Sequence, residues 1–589
     1  MKKSFEKNIY ILPIALWFVV IPLIVKVKFY GNPLADYAWY SSERTLADFF
    51  LYYKSLFVTI TGLLMLVMLF WQISKMRKKN ALVSADTRIF LPILLYLFFV
   101  IFSSLFSEYG YFCTHGMPDQ FETVWNLIAY VVAVFYCYYA VAWKESEKPI
   151  LFLIFVGAAL VGLICVLQVF KIDIYRFIYA GDGYEFTFQP GQVYGPFYNI
   201  NYVGFYTLLF FPLFVMLCIF CKDLKVRLAA AVLAVALFIS MIGAQSSSAW
   251  IAMAGIFVFA VFFFLLKHVK ANKILWLPIA LLIAGGLGVC AFAFPKVGAY
   301  IQASDTEKTD LENIFTNNDH VEIDYKEQKL YIQMLQSSDL VSFWLTDQDQ
   351  NEVSFEYAFS DEGYYYVITD ARFDGMTLTP VMLSDDPVTY GFIAQIGEKG
   401  WCFSNQLTED GSYIYYNDLG KGVKLTSETV SADFAPFVHV SSLANGRGYI
   451  WNKTIAILKD YIFFGSGADT YALVYPNGDF VDKYNNGYDN LILTKPHSLY
   501  LQIAVQTGVL SLICFLVFYL WYFISSLRLY FRQRFDNLLT VTGFAIMLGT
   551  LGYMISALAN DSTVTISPLY WALIGIGIGI NRRIRSEDV

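Results

Sequence analysis

The sequence predicts an all-α polytopic membrane protein of about 12 transmembrane helices, with an extracytoplasmic β-rich domain inserted among them. Three observations carry this. Apolar residues fill 57% of the 589 positions and charged residues only 15%, against about 45–50% and 25% in an ordinary soluble chain. Apolar runs of about 20 residues, the length that crosses a bilayer as a helix, recur along most of the chain. One long stretch, 296–496, breaks the pattern with 30 Asp/Glu against 13 Lys/Arg. The composition excludes a disordered chain, a collagen-like chain and an ordinary cytosolic enzyme. A net charge of −7 gives no sign of a nucleic-acid partner.

The apolar runs centre on 9–25, 50–73, 89–107, 124–143, 149–170, 200–221, 227–245, 249–266, 274–294, 498–526, 537–558 and 565–580. The first follows Lys2, Lys3 and Lys7, as a signal peptide would. It lacks a small-x-small cleavage site and runs into Lys26 and Lys28, so it reads as a retained span. Basic residues set the orientation. With the N-terminus inside, the inner segments hold 22 Lys/Arg. The short outer loops and their flanks hold six: Lys26, Lys28, Arg44, Lys54, Lys171 and Arg176. This places both termini in the cytoplasm and residues 296–496 outside. The domains are then 1–295 with nine spans, an insertion at 296–445, an outer helix and loop at 446–496, and three spans at 497–589.

Within the insertion, apolar and charged residues alternate at Val321–Tyr325 and again at Val353, Phe355, Tyr357 and Phe359. Similar runs follow at 364–368, 390–396 and 412–416, with turn residues between them, as a β-sandwich or small barrel requires. The module is placed at 318–432. Its aromatics read first as sheet core; sugar binding is the alternative. From 446 the period turns helical, with Ile450, Trp451, Thr454, Ile455, Leu458 and Ile462 on one face and Lys453 off it. This reads as an amphipathic helix on the outer membrane surface.

Only Cys113 and Cys402 lie in polar segments, a pair too distant in sequence to establish a disulfide. The CxxC spacing at Cys218–Cys221 lies inside an apolar run and no HExxH spacing occurs, so no metal and no cofactor are indicated. His497 follows Pro496 and opens the tenth span. Proline suits the first turn of a helix, which places His497 in that turn at the outer surface. The positive end of the helix disfavours imidazolium, leaving an imidazole able to accept a proton near pH 7. Free N–H groups of the same turn would hold an anion. The competing reading is an interfacial histidine without chemistry. Arg447 opens the outer helix and is suited to a bidentate phosphate contact, or to snorkelling into headgroups. Lys453, Lys495 and Arg176 are further cations near that surface. Together with Asn199, Asn201 and Ser498 they complete the candidate substrate-binding set.

His497-Ser498, nine residues, then Gly508 resembles the His-[Asn/Ser/Gln]-x9-Gly motif of the O-antigen ligase family. Arg447…Trp451 with Gly465-Ser-Gly-Ala-Asp469 is similar to that family's Arg…Trp…Gly-x-Gly stretch. Gly195-Pro-Phe197…Asn199-Ile-Asn201 is similar to the opening of its middle span. The resemblance covers about 190–300 and 445–580. This chain departs from it at Ser247, where many members have arginine, and at Ser511. The β module lies outside it.

The resemblance implies a metal-independent glycosyltransferase of ligase or polymerase type. Its donor would be a glycan on a polyprenyl (undecaprenyl) diphosphate, and its acceptor a lipid, a growing polysaccharide or a protein. It would work at the outer face of the cytoplasmic membrane, in cell-envelope polysaccharide biosynthesis. His497 would activate the acceptor hydroxyl and Arg447 would neutralise the diphosphate. Asn199 and Asn201 fit helix capping better than catalysis. Two other classes stand beside this reading: a lipid-linked glycan transporter, which the scarcity of ionisable residues in the spans disfavours, and a non-enzymatic surface receptor or scaffold.

Overall fold

A computed structural model describes residues 2–78, 87–143, 146–179, 192–268, 310–337, 340–360, 363–385, 387–434, 446–489 and 491–587. The first apolar run is a helix, α1 (Lys2–Ala15), continued by one π turn and one 3-10 turn to Leu23. Pro13 and Pro22 remove backbone donors there, so a regular ladder cannot persist. Among the described residues, nine helices are long and apolar enough to cross a membrane. They are α2 (Tyr52–Lys78), α3 (Leu91–Leu105), α4 (Val124–Ala142), α5 (Glu147–Val169), α6 (Ile200–Phe220), α7 (Leu224–Ala244), α8 (Ser247–His268), α11 (Val509–Arg532) and α12 (Leu538–Ser556). α9 (Arg447–Ile457) and α10 (Leu499–Thr507) are shorter, and α13 (Ser567–Glu587) ends in a basic turn. The chain is therefore a multi-pass membrane protein. Against the twelve spans the sequence predicts, the one at 274–294 lies outside the described residues. The tenth is divided, because α10 stops at Gly508 before α11 begins.

Burial sorts the helices. α4, α6 and α12 bury 72–78% of their spans, while α7 and α8 bury 28% and 22%. The first group forms the inside of the bundle; the second presents Val232, Ile251 and Phe257 outward, a surface suited to lipid chains. α13 lies against α4 at very short range. A Cβ on Gly575 would stand 2.4 Å from the Val134 carbonyl oxygen, so only glycine fits that crossing.

The β-rich region runs over 311–423, beginning upstream of the predicted 318. β3 (Leu311–Thr316), β4 (Val321–Tyr325), β5 (Gln328–Ser337) and β6 (Leu340–Asp347) form one antiparallel meander. The seven strands from β7 (Phe355–Ser360) to β13 (Gly422–Val423) form a second. The two sheets share a core. Phe343 of the first meets Tyr366 and Phe392 of the second at 5.1 and 5.2 Å between centroids, which makes a sandwich. Of the aromatics in the predicted strands, Tyr325, Tyr366, Phe392, Tyr413 and Tyr415 are buried here, whereas Tyr357 and Phe359 are exposed. Cys113 and Cys402 are free thiols.

The sandwich is tied to the membrane part. Asn417 Nδ2 donates to the Ala38 carbonyl (2.7 Å), and Lys421 Nζ to the carbonyls of Ala35 and Tyr37 (2.6 and 2.7 Å). A short ribbon, β1 (Lys28–Gly31) with β2 (Thr45–Asp48), frames that docking loop and has no counterpart in the sequence-based reading. α9 also departs from expectation. Tyr449, Ile450, Asn452, Lys453 and Thr454 are all buried, so the helix is packed within protein and not laid on a lipid surface. Lys453, the residue expected off the apolar face, sits in that interior because Asp433 and Asp482 neutralise it at 2.8 Å each.

Candidate active site

The segment 493–498 is held from several sides before α10 begins. Trp451 Nε1 on α9 donates to the Pro496 carbonyl at 3.0 Å. Asn477 brackets Leu493, accepting its N–H at 2.9 Å and donating to its carbonyl at 3.1 Å. Gln120 Nε2 donates to the Thr494 carbonyl. Lys495 Nζ donates to Tyr202 Oη on α6 at 3.3 Å. These contacts force His497 into the left-handed region, φ 51°. A β- or α-region residue there would not need such restraint. Helix α10 therefore starts later than the sequence predicts: Ser498 is the N-cap and Leu499 the first helical residue, and His497 precedes the first turn.

That shift changes the chemistry available. The Ser498 N–H donates to Asp561 Oδ1 at 3.1 Å, and the Leu499 N–H to the carbonyls of Asn560 and Ala557 at 2.8 and 3.0 Å. Both groups are already used, so the expected anion cradle of free N–H groups loses them. A histidine–carboxylate pair stands in its place. His497 Nδ1 lies 3.1 Å from Asp561 Oδ2. The Asp561 side chain is 3% exposed and that of His497 41% exposed, so the imidazole's other nitrogen is the one that can meet a substrate. Asp561 was not singled out from the sequence. Its signal was there: it is the only Asp, Glu, Lys, Arg or His between Asp536 and Arg582, and a lone charge in an apolar region marks function.

Asp561 also acts through space on two cations. Burial lowers the pKa of the Arg447 guanidinium, and the charges of Asp561 and Tyr488 oppose that. Burial likewise works against the charge of Lys495, but Tyr202, Asp561 and Asp119 together outweigh it and hold the ammonium well above its usual range. The charge of the carboxylate that His497 contacts thus reaches both Arg447 and Lys495. Arg447 makes no hydrogen bond or ion pair among the described residues, which leaves its fork of donors available.

A second layer of carboxylates backs this centre. Glu122 is buried and accepts from Tyr130 Oη (2.8 Å), Ser562 Oγ (2.7 Å) and Gln502 Nε2 (3.4 Å). Asp469, the end of the Gly465–Asp469 stretch, accepts from the N–H groups of Met117 (2.6 Å) and Glu122 (3.1 Å). Burial pushes both carboxyls up to about 7. Asp119, Phe121, Tyr198 and Asp469 share with His497 a positive φ. Each such residue costs of order 1–3 kcal/mol, and clusters of them mark sites where geometry matters.

The glycines of the motif are architectural. Gly508 has φ 104°, and a Cβ on it would sit 2.6 Å from the Phe463 carbonyl oxygen. A Cβ on Gly465 would meet the backbone of Gln506 and Thr507 at 2.1–2.3 Å. The two strips of chain lie backbone to backbone, with Ser466 and Gly467 N–H groups bonded to Val505 and Gln506 carbonyls at 2.8 and 2.9 Å. This fixes the length and direction of α10, and so the place of His497.

The remaining candidates are distributed as follows. The Ser498 hydroxyl makes no capping bond. Asn199 caps α6 by accepting the Asn201 N–H at 2.8 Å. Asn201 Oδ1 accepts from Ser246 Oγ (2.7 Å), which meets Ser248 Oγ (3.2 Å), which accepts from Asn560 Nδ2 (2.8 Å). That relay reaches the neighbour of Asp561. Ser247 is exposed at the start of α8, with Ser246 and Ser248 turned inward. Arg176 is exposed on the short helix Ile174–Tyr179, beside the Tyr194–Asp173 pair. Lys453 is spent on Asp433 and Asp482.

The fold is a multi-pass helical bundle carrying an inserted β-sandwich, with a histidine–carboxylate pair at His497 and Asp561. The family model for O-antigen ligase matches residues 413–516, and over that stretch the chain is O-antigen ligase-like. The matched stretch contains Arg447, Lys453, Lys495, His497 and Ser498. It begins inside the sandwich, at its last strands, and does not reach Arg176, Asn199 or Asn201. No curated protein and no solved structure matches the chain.

Proposed function

We propose that this protein transfers a glycan from a polyprenyl diphosphate carrier to an acceptor hydroxyl at the outer face of the cytoplasmic membrane, with both termini cytoplasmic and the sandwich outside. The observation that carries the reading is the pairing of His497 with buried Asp561, whose charge also reaches Arg447. With its Nδ1–H given to Asp561, His497 presents the Nε2 lone pair outward and takes the proton of the acceptor hydroxyl. The acceptor oxygen bonds to the anomeric carbon as the bond from that carbon to the phosphate oxygen breaks. The electron pair leaves with the diphosphate, whose growing charge Arg447 and Lys495 stabilise. The imidazolium formed is held by Asp561. Ser498 and the Asn201–Ser246–Ser248–Asn560 relay position the sugar side of the site. Lys453 and Arg176 have no part in this assignment.

The interfacial position follows from the carrier. A polyprenyl chain stays in the bilayer, so a protein acting on its headgroup must bring its base and its cations to the membrane surface. The acceptor can be a lipid, a growing polysaccharide or a protein; the chemistry at His497 is the same.

The test is His497→Ala and Arg447→Ala in the producing cell, with the protein level measured by immunoblot. Transfer predicts that polyprenyl-diphosphate-linked glycan accumulates while the protein level stays normal. An unchanged glycan pool and product contradict the proposal and favour a receptor. Loss of the carrier from the outer leaflet, in place of its accumulation there, favours a transporter.

A further inference from the structure

The outer face of the four-stranded sheet carries a polar hollow. β4, β5 and β6 alternate through their central residues, although Thr346 and Asp347 at the end of β6 are both buried. Val321, Ile323, Leu330, Ile332, Phe343 and Leu345 face the core. The intervening residues face outward. Glu322, Tyr331 and Thr346 stand opposite one another across three strands, and Gln333 and Trp344 form the adjacent row. Tyr331 and Trp344 are therefore diagonal neighbours on one face, roughly 7–8 Å apart by sheet geometry. The turn Asn317–His320 and Lys424 with Thr426 raise the walls of a groove of about 840 Å³, within the range of small-ligand sites.

The lining has a particular chemistry. Trp344 is 49% exposed and makes no ring contact among the described residues. His320 stands edge-on to Tyr331 at 4.9 Å and 83° and is itself held by Asp319 at 2.7 Å and Asn317 at 3.0 Å, so the tyrosine ring is fixed in place. The charges around it are already paired: Lys329 with Glu322 and with Asp324 (3.5 Å), Lys424 with Asp410 (3.4 Å). What remains unused is two aromatic faces with amide and hydroxyl groups beside them, chiefly Gln333 and Thr426. Sugar rings carry a C–H face that lies on an aromatic ring and a rim of hydroxyls that meet amides and carboxylates. The surrounding region is strongly acidic, which repels a polyanion.

We infer that this groove is a glycan-binding site for uncharged oligosaccharide, with Trp344 and Tyr331 as its stacking platforms. It lies on the module whose opposite sheet is hydrogen-bonded to residues 35–38, so the bound chain is held on a module tied to the membrane part. The inference rests on the proposed glycan transfer only for the source of its ligand; binding is read separately from transfer.

The experiment uses the full chain in nanodiscs and, as probe, the glycan released by mild acid from the producing cell's own lipid-linked pool, end-labelled and measured by equilibrium dialysis. Wild-type protein binds it, Trp344→Ala weakens binding at least tenfold, Tyr331→Phe leaves it within about threefold, and Val232→Ala on the outward face of α7 leaves it unchanged. Polygalacturonate, a polyanion, does not compete. Trp344 is outward-facing, so its variant keeps the wild-type melting temperature. Failure of the folded wild-type protein to bind, or binding that survives both Trp344→Ala and Tyr331→Ala, overturns the inference. Binding that persists while His497→Ala still transfers glycan would sink the transfer reading and leave the groove standing.

Discussion

Asp561→Asn isolates the histidine–carboxylate pair better than any deletion. The asparagine keeps the carbonyl oxygen that accepts the Ser498 N–H at 3.1 Å, so the start of α10 stays in place. Its amide group now faces His497 Nδ1, 3.1 Å away in the parent. An N–H donor there requires Nδ1 to accept, which moves the imidazole proton to Nε2 and removes the lone pair that would take the acceptor's proton. The carboxylate's attraction for the imidazolium is also lost. At that separation and an effective dielectric near 20, the Coulomb energy is of order 5 kcal/mol, an upper bound before desolvation. A charge-assisted hydrogen bond is worth roughly 1.5–3 kcal/mol, or about 10–100-fold in rate. A wrong tautomer carries the loss towards about 10⁴-fold. The expected outcome is a fall in transfer of at least about 100-fold with the protein level unchanged. The assay is made in cells whose own copy is deleted: the lipid-linked glycan pool and the transferred product are quantified by mass spectrometry against immunoblotted protein. Transfer within about twofold of the parent, at equal protein, refutes the role given to Asp561.

Three further outcomes follow from the packing. Lys453→Met breaks the interior pairs to Asp433 and Asp482 and destabilises the protein by roughly 3–5 kcal/mol, seen as a lower melting temperature in detergent; a folded but inactive variant would instead make Lys453 a substrate residue. Gly508→Ala places a side chain at φ 104° and 2.6 Å from the Phe463 carbonyl oxygen, so it costs at least about 1–3 kcal/mol and reduces transfer by displacing α10; a fully stable, fully active variant would show that the divided span is not needed. Glu122, lifted by burial from 4.5 to about 7, binds a proton in the folded state that the unfolded chain has already released between those pH values. Stability therefore falls as pH rises from about 4.5 to 7 and levels above, by roughly 3 kcal/mol for this group at 1.36 kcal/mol per unit. Glu122→Gln should flatten that slope, leaving the part due to Asp469; an unchanged slope in melting temperature against pH would count against the buried carboxyl.

Much of the architecture is legible in the amino-acid order because the bilayer imposes it. A span must be apolar for about 20 residues, and α2 to α8 fall where such runs occur. Val321–Tyr325 is legible as a strand because every second residue enters a core. The divided tenth span is harder to read, since nothing in composition shows that Gly508 lies against the Phe463 backbone. His497 and Arg447 stand out by their neighbours, whereas the position of His497 relative to α10 depends on a positive φ that four tertiary contacts enforce. Proline at 496 predicts a first turn that includes His497, whereas Ser498 is the N-cap and Leu499 the first helical residue. Lys453 looked like an exposed cation because helical periodicity describes one helix; its partners Asp433 and Asp482 come from elsewhere. Asp561 is marked in the sequence by its isolation in an apolar stretch, while its pairing with His497 is set by tertiary structure.

The central claim is that His497 and Arg447 meet around one diphosphate headgroup. It is tested most directly by a density map of the wild-type protein in nanodiscs with a polyprenyl diphosphate bound. The account predicts the phosphates on the Arg447 guanidinium and the Lys495 ammonium, with His497 Nε2 facing the open side where a sugar and an acceptor would lie. A headgroup seated elsewhere, or on Lys453 or Arg176 with Arg447 out of reach, would contradict it.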